Sequence, residues 1–403
     1  MTVPTYLPWH SRIAYDLRPC VADERRALTY SELAYEVEAV AEQLAEHGVD
    51  RGSVVALALP NQVELVVAML AAWQLGAVAA PIDPSLTTLE SDSQVAASEA
   101  AVVVATEDRS ARHRRRVLTA AGLRRTRIGM RLPAPTTALD APALIVHASD
   151  SVGRPQRVVL THGNLAEMAK SLVAHLRITL EDHSLLVLPL AHSTAIGASF
   201  LAPLSVGGRV SMIGHDASAA SVLDAVKRLR PTYFSGTATT FSTLASTLTS
   251  TLTSTLEERR ADTSSLRVAL CGGTTPAADV VAAGEEALGC PVVEGYGPIE
   301  GSGATTANPL DDRRPGTVGV ALPGQEVAIM DPDGGLLPTG ACGEVVVRSR
   351  TVMQGYVDDP EATALALGDG WLHTGDGGVL DEDGFLFLGA RLRSGTGQRR
   401  DRW

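Results

Sequence analysis

Between Val54 and Ala105 the chain alternates short apolar runs with stretches of helical period, and this alternation restricts the fold more than any other feature. Val54 to Leu59 is a continuous apolar run closed by Pro60-Asn61. Glu64 to Leu75 has helical spacing and ends at Gly76, Ala77 to Ile82 is a second apolar run ending at Asp83-Pro84, and Ala101 to Ala105 is a third. Strands separated by helices run parallel and bury both faces, so the spacing predicts a doubly wound, mostly parallel α/β sheet. Upstream, Thr29-Tyr30-Ser31-Glu32 has capping-box spacing and Leu33, Val37, Val40, Ala41 and Leu44 recur at helical period up to Gly48, which predicts a helix over 31–47.

The stretch from Ala143 to Leu165 reads as strand, small-residue loop, strand and helix start. A glycine-containing loop between buried strands exposes backbone N–H groups that can cradle phosphate, which singles out Ser149, Ser151 and Gly153. Further strands are expected around Leu185 to Leu190, Gly208 to Ile213 and Thr232 to Gly236, with helices over 164–176 and 219–229. Two strand-then-glycine edges follow, Leu266 to Leu270 into Cys271-Gly272-Gly273-Thr274 and Pro291 to Val293 into Glu294-Gly295-Tyr296-Gly297-Pro298-Ile299-Glu300. Backbone at such edges can approach a flat ligand. The repeat FSTLASTLTSTLTSTLEERR sets Leu244, Leu248, Leu252 and Leu256 four apart and is expected to be an expanded helix or loop without chemistry. From Gly316 onward, Asp-Gly and Gly-Gly signals at hairpin spacing predict a small β-rich subdomain. The expected division is an α/β subdomain over 1–190, a second over 191–312, the β-rich unit over 313–392 and a basic tail over 393–403.

Composition narrows the class. With 403 residues and 45% hydrophobic content the chain can build two or three packed units. No apolar window is long enough for a membrane span and MTVPTYLPWHSR is no signal peptide, so the expected compartment is the cytoplasm, with no membrane partner. The net charge of −12 opposes general nucleic-acid binding. The local run of Arg112, Arg114, Arg115, Arg116, Arg124, Arg125 and Arg127 reads as a solvated helix face. Cys20, Cys271, Cys290 and Cys342 lack metal-ligand spacing and are expected to be reduced thiols. Lys170 and Lys227 are the only lysines, which limits any lysine-based chemistry.

These motifs, in this order, resemble the AMP-forming adenylating family, which includes acyl-CoA synthetases, aryl-acid ligases, peptide-synthetase adenylation domains and luciferases. TYSEL, LPNQVE and LGAVAAPIDP resemble the family's opening, and Ala148 to Val158 aligns with its phosphate loop, Ser/Thr-Ser-Gly-Thr-Thr-Gly-x-Pro-Lys-Gly-Val. The resemblance implies that His192 lines an acid pocket, that Gly272 and Gly273 border the adenine, that Tyr296 packs on the base and that Glu300 holds Mg2+. It further implies that Asp376 takes the ribose hydroxyls and that Arg391 is the hinge arginine. The implied ligands are AMP or ATP, Mg2+, and a small carboxylic acid or acyl thioester.

The loop departs from the family where phosphate would lie. Asp150 stands for a glycine and adds a carboxylate, and at an effective dielectric near 20 like charges about 4 Å apart repel by roughly 4 kcal/mol. Val152 replaces a hydroxyl, Gln156 the ammonium and Arg157 a second glycine, leaving Arg154 and Arg157 as cations of different geometry. Ile299 replaces a hydroxyl donor and Ala390 departs near the hinge. The resemblance stops before the ending RSGTGQRRDRW, and the family's mobile C-terminal domain, with its adenylation lysine, is expected to be absent.

Three readings stand at this point. In the first, a biosynthetic relative keeps the acyl pocket without full ATP-driven ligation, with His147, Asp150, His192 and Glu300 as acid–base candidates. In the second, a carboxylate ligase is completed by a partner carrying the missing lysine domain. In the third, a noncatalytic scaffold binds a ligand or an acyl-carrier protein.

Overall fold

A computed structural model describes residues 17–106, 116–130, 138–148, 156–252, 262–272 and 277–392. The apolar runs become buried strands. Val54–Ala58, Val78–Pro81 and Val102–Ala105 pair in parallel at the centre of a seven-stranded sheet. Its order is Gly355–Tyr356, Gln156–Thr161, Pro142–Ala148, Val78–Pro81, Val54–Ala58, Val102–Ala105 and Arg116–Thr119. A nine-stranded sheet has a parallel centre of Val292–Tyr296, Val268–Cys271, Tyr233–Gly236, His183–Leu186 and Arg209–Met212. Gln325–Met330, Cys342–Ser349, Leu372–Leu380 and Leu386–Arg391 form a separate antiparallel sheet, as the hairpin signals predict. The sheets cut across chain order. Pro19–Ala22 and Ala27–Thr29 join the nine-stranded sheet, while Gly355–Tyr356 returns to the seven-stranded one.

Helices Tyr30–Glu46, Val63–Gln74 and His162–Leu176 contribute to one continuous apolar cluster with residues of both large sheets, including Leu57, Val104, Leu144, Leu186, Val210 and Tyr233. The first helix starts at the expected capping box of Thr29 and Glu32. The third is capped by Thr161 and Asn164, and the Asn164 amide also donates to Arg350 O and Val352 O at 2.8 Å each. That residue therefore ties the helix to the segment entering the seven-stranded sheet from the antiparallel one. Among the described residues, no helix is long and apolar enough to cross a membrane.

The described part of the arginine-rich run is not the helix face expected from its composition. Arg116–Thr119 is a strand parallel to Val102–Ala105, because Val117 and Leu118 extend the apolar sheet. Arg124 pairs with Glu46 at 2.8 Å, and Arg127 pairs with Glu38 and, at 3.2 Å, with Glu42. Arg112, Arg114 and Arg115 lie outside the described residues. The serine- and threonine-rich repeat begins as a helix, Ala238–Leu252, with Phe241 and Leu244 fully buried. Thr243, Ser246 and Thr247 turn their hydroxyls back onto carbonyls four residues earlier, which satisfies them inside the helix. The side chains of Leu248 and Leu252, and all of Leu256, lie outside the described residues.

Candidate active site

The carboxyl ends of the parallel strands open into a polar cleft of about 470 Å3. Such ends are where open α/β sheets bind ligands. All three sheets contribute, with Asp83 and His147 from the first, His192, Tyr296 and Glu300 from the second, and Asp376 and Arg391 from the third.

His192 lies just beyond the strand His183–Leu186, where a π-helical segment, Ala195–Leu201, begins. Segments of this kind frequently mark functional sites. Its Nε2 stands 3.3 Å from Asp83 Oδ2. Burial alone would raise the Asp83 carboxyl, but hydrogen bonds from His192 and Ser85 outweigh it and hold this acid well below the usual carboxylate range. Asp83 was not among the residues expected here from sequence, although its place at the end of a central strand is a signal of the right kind.

His147 is the penultimate residue of the strand Pro142–Ala148, and both ring nitrogens are buried without a hydrogen-bond partner among the described residues. Burial, with the nearby Arg157 charge, pushes its pKa down to about 4. Arg157 lies opposite His147 in the antiparallel ladder, but its guanidinium donates to Ala97 O at 2.5 Å and to Asp358 at 3.0 Å. This loop cation is therefore a structural fastener. Ser149, Asp150, Ser151, Gly153 and Arg154 lie outside the described residues.

Tyr296 ends its strand and donates its hydroxyl to Asp376 Oδ2 at 2.7 Å. Burial and the Asp376 charge push the phenol far above its ordinary value, so it acts as a donor throughout the accessible pH range. The other oxygen of Asp376 lies 4.0 Å from Arg391 Nε. Glu300, in a short turn, accepts from Tyr356 Oη at 2.8 Å. Tyr356 carries no sequence signal because it reaches Glu300 from the other large sheet.

Two glycines allow this tight geometry. A Cβ on Gly303, whose φ is +81°, would fall 2.4 Å from Ser193 Oγ, and one on Gly297 would fall 2.5 Å from Ala304 N. The Gly303 packing holds this loop against the His192–Ser193 turn, and the Gly297 packing closes the loop on itself.

The cleft leads past Thr194, Gly295, Tyr296 and Gly297 into a smaller apolar pocket of about 50 Å3. Gly272 borders this pocket and donates its N–H to Gly236 O at 3.1 Å, whereas Gly273 lies outside the described residues. No cluster of three or more His, Cys, Asp or Glu that could hold a metal occurs among the described residues. A lone Glu300 still fits Mg2+, which commonly binds through one or two carboxylates together with substrate phosphates.

The structure therefore brings together His147, His192, Tyr296, Glu300, Asp376 and Arg391 around one cleft, with Gly272 in the adjoining pocket. A family model described as AMP-binding enzyme matches residues 11–357. A feruloyl-CoA synthase from Amycolatopsis is 33% identical over 384 residues, covering 91% of this chain and 74% of the relative. A 2-succinylbenzoate–CoA ligase from Geobacillus kaustophilus is 32% identical, covering 96% of this chain and 77% of that one. The structure of the o-succinylbenzoate CoA synthetase of Bacillus subtilis with its acyl-adenylate intermediate superposes with a TM-score of 0.83 at 27% identity, covering 96% of this chain and 78% of that one. A sequence match over most of the chain thus joins a shared fold and a cleft at the expected strand ends, and the chain belongs to the AMP-binding enzyme family, alongside adenylate-forming CoA ligases.

Proposed function

We propose that the chain holds a carboxylic acid beside a nucleoside monophosphate, the two halves of an acyl-adenylate, and that it uses the phosphates of ATP poorly. The observation that carries this reading is the pair of adjoining spaces, one polar with Tyr296 and Asp376, the other apolar, which share Thr194 and the Gly295–Gly297 turn. The acyl chain fits the apolar space. Asp376 can accept from a ribose diol while Tyr296 fixes its other oxygen. Mg2+, where bound, would sit at Glu300 and neutralise phosphate charge.

Weak phosphate chemistry is supported by Asp150, Val152 and Gln156 in the loop and by the engagement of Arg157 with Asp358 and Ala97. Removing one preorganised donor to a developing charge typically costs about 100- to 1,000-fold in rate. From a typical turnover of about 10 per second, ATP-dependent activation by this chain is expected at or below about 0.1 per second. Pyrophosphate release with ATP, Mg2+, CoA and a series of carboxylic acids measures it. Turnover near 10 per second would overturn the reading.

One observation favours a second reading, a ligase completed by a partner such as a separate lysine-bearing domain, with CoA or an acyl-carrier protein as acceptor. Glu300 is held at 2.8 Å by Tyr356, as a prepared metal ligand would be. Pyrophosphate release that appears only when the partner is added would support that reading.

A further inference from the structure

We infer that Asp83 and His192 form a general-base dyad that hydrolyses an acyl-adenylate to its carboxylic acid and AMP, with His192 activating the water and Asp83 positioning the imidazole. The inference rests on the acyl-adenylate reading above and adds a reaction to it.

Both members of the dyad are fixed. Asp83 follows the strand Val78–Pro81, and Ser85 holds its Oδ1, donating from N at 2.8 Å and from Oγ at 2.7 Å. The other oxygen, Oδ2, faces His192 Nε2 at 3.3 Å. The backbone of His192 is held in its turn, where its N–H donates to Pro189 O and its carbonyl accepts from Ile196 N, each at 3.0 Å. Against the effect of burial, the hydrogen bonds from His192 and Ser85 keep the Asp83 carboxyl ionised. An ionised carboxylate can only accept, so Nε2 carries the proton and Nδ1 keeps its lone pair. His192 lines the cleft with 56% of its side chain exposed, so water reaches the ring.

The two adjoining spaces place the reacting carbonyl. An acyl group in the apolar pocket and a nucleotide in the polar cleft are joined through that carbonyl, which falls at the mouth formed by Thr194 and the Gly295–Gly297 turn. His192 stands two residues before Thr194, and Ser193 between them packs against Gly303. The base is thus anchored beside the mouth. Water attacks the carbonyl carbon and gives one proton to Nδ1, and the Asp83 carboxylate stabilises the imidazolium that forms. The bond from that carbon to the phosphate oxygen breaks, and the oxygen leaves with the electron pair as AMP. The acid ionises, so both protons of the water end in solvent, one of them by way of Nδ1. Water is the only co-reactant and nothing is oxidised or reduced.

The test incubates the intact chain with butanoyl-, benzoyl- and feruloyl-adenylate in heavy-oxygen water and follows AMP by chromatography. With at least one of the three, release is expected about 100-fold or more above the buffer rate, with the label in the carboxylate. Folded Asp83→Asn and His192→Gln variants are each expected to lose about 100-fold of that rate, and added imidazole to restore part of it in His192→Gln. The cleft also presents His147, Tyr296, Glu300, Asp376 and Arg391. His147 is pushed down to about 4, so the parent rate should keep rising with pH well above that value, and this rise should vanish in His192→Gln. A parent rate that matches buffer or ignores pH, a loss below about tenfold in either folded variant, label in AMP, or release that needs added CoA would each overturn the inference. Calorimetry with the matching acyl-sulfamoyl adenosines, stable mimics of acyl-adenylates, separates the two readings. Binding without hydrolysis would leave the acyl-adenylate reading standing, and binding of none of the mimics would overturn both.

Discussion

Asp376 concentrates the chemistry of the cleft in one side chain. One oxygen accepts from Tyr296, and the other stands 4.0 Å from Arg391, beyond hydrogen-bond range and therefore available to a ligand. A hydrogen bond to a charged group contributes about 1.5–3 kcal/mol, so Asp376→Asn is expected to weaken AMP binding by about tenfold or more. Calorimetry on the folded variant checks this, and an unchanged Kd would move the nucleoside elsewhere. Tyr296 and Glu300 sit in one short motif at a strand end and Asp376 in another within the strand Leu372–Leu380, and such motifs are why sequence alone could point to all three as lining one cleft. Asp83 and Tyr356 were not legible in this way, because the partners that give them meaning are remote in the chain, His192 for one and Glu300 for the other. Arg157 misleads for a related reason. It sits in a loop-like motif, yet the ladder places it opposite His147 and its guanidinium is spent on Ala97 and Asp358.

At the scale of elements, the turn at Tyr296–Glu300 depends on the close approach of Gly303 to Ser193. Gly303→Ala combines a left-handed backbone with a steric overlap, and the expected loss of stability is about 2–4 kcal/mol. Urea denaturation measures it, and an unchanged midpoint would mean that the Ser193 turn yields freely. The alternation of strand and helix before Ala105 was legible because its period is regular and its ends are marked by glycine and proline. Arg116–Thr119 was not, since arginines on both sides hide an apolar pair that belongs to the sheet. The apolar pocket was equally hidden, because Leu172, Ala198, Leu270, Val293 and Leu322 come from separate segments that only the fold brings together.

Across the whole molecule, buried neutral histidines set a pH limit. His147 and His162 are pushed down to about 4, and His183 to about 3, chiefly by burial. Unfolded, the same imidazoles take up protons near their ordinary value of 6.5. Below that value the unfolded state binds more protons, so stability falls as pH drops from about 6.5 toward 4, by up to about 1.4 kcal/mol per pH unit for each histidine. Urea midpoints at about pH 7 and about pH 5 should show the fall, and His183→Gln should reduce the slope if the variant folds. Equal midpoints would contradict neutral burial.

The most direct test of the proposed function is a pair of calorimetric titrations of the intact chain, one with AMP and one with ATP and Mg2+. AMP is expected to saturate the cleft through Tyr296 and Asp376. ATP with Mg2+ is expected to bind at least about tenfold more weakly, because its terminal phosphates would meet a loop that carries Asp150 and lacks the lysine. ATP binding as tight as AMP or tighter would show a working phosphate site and contradict the reading that this chain keeps the acyl-adenylate site while using ATP poorly.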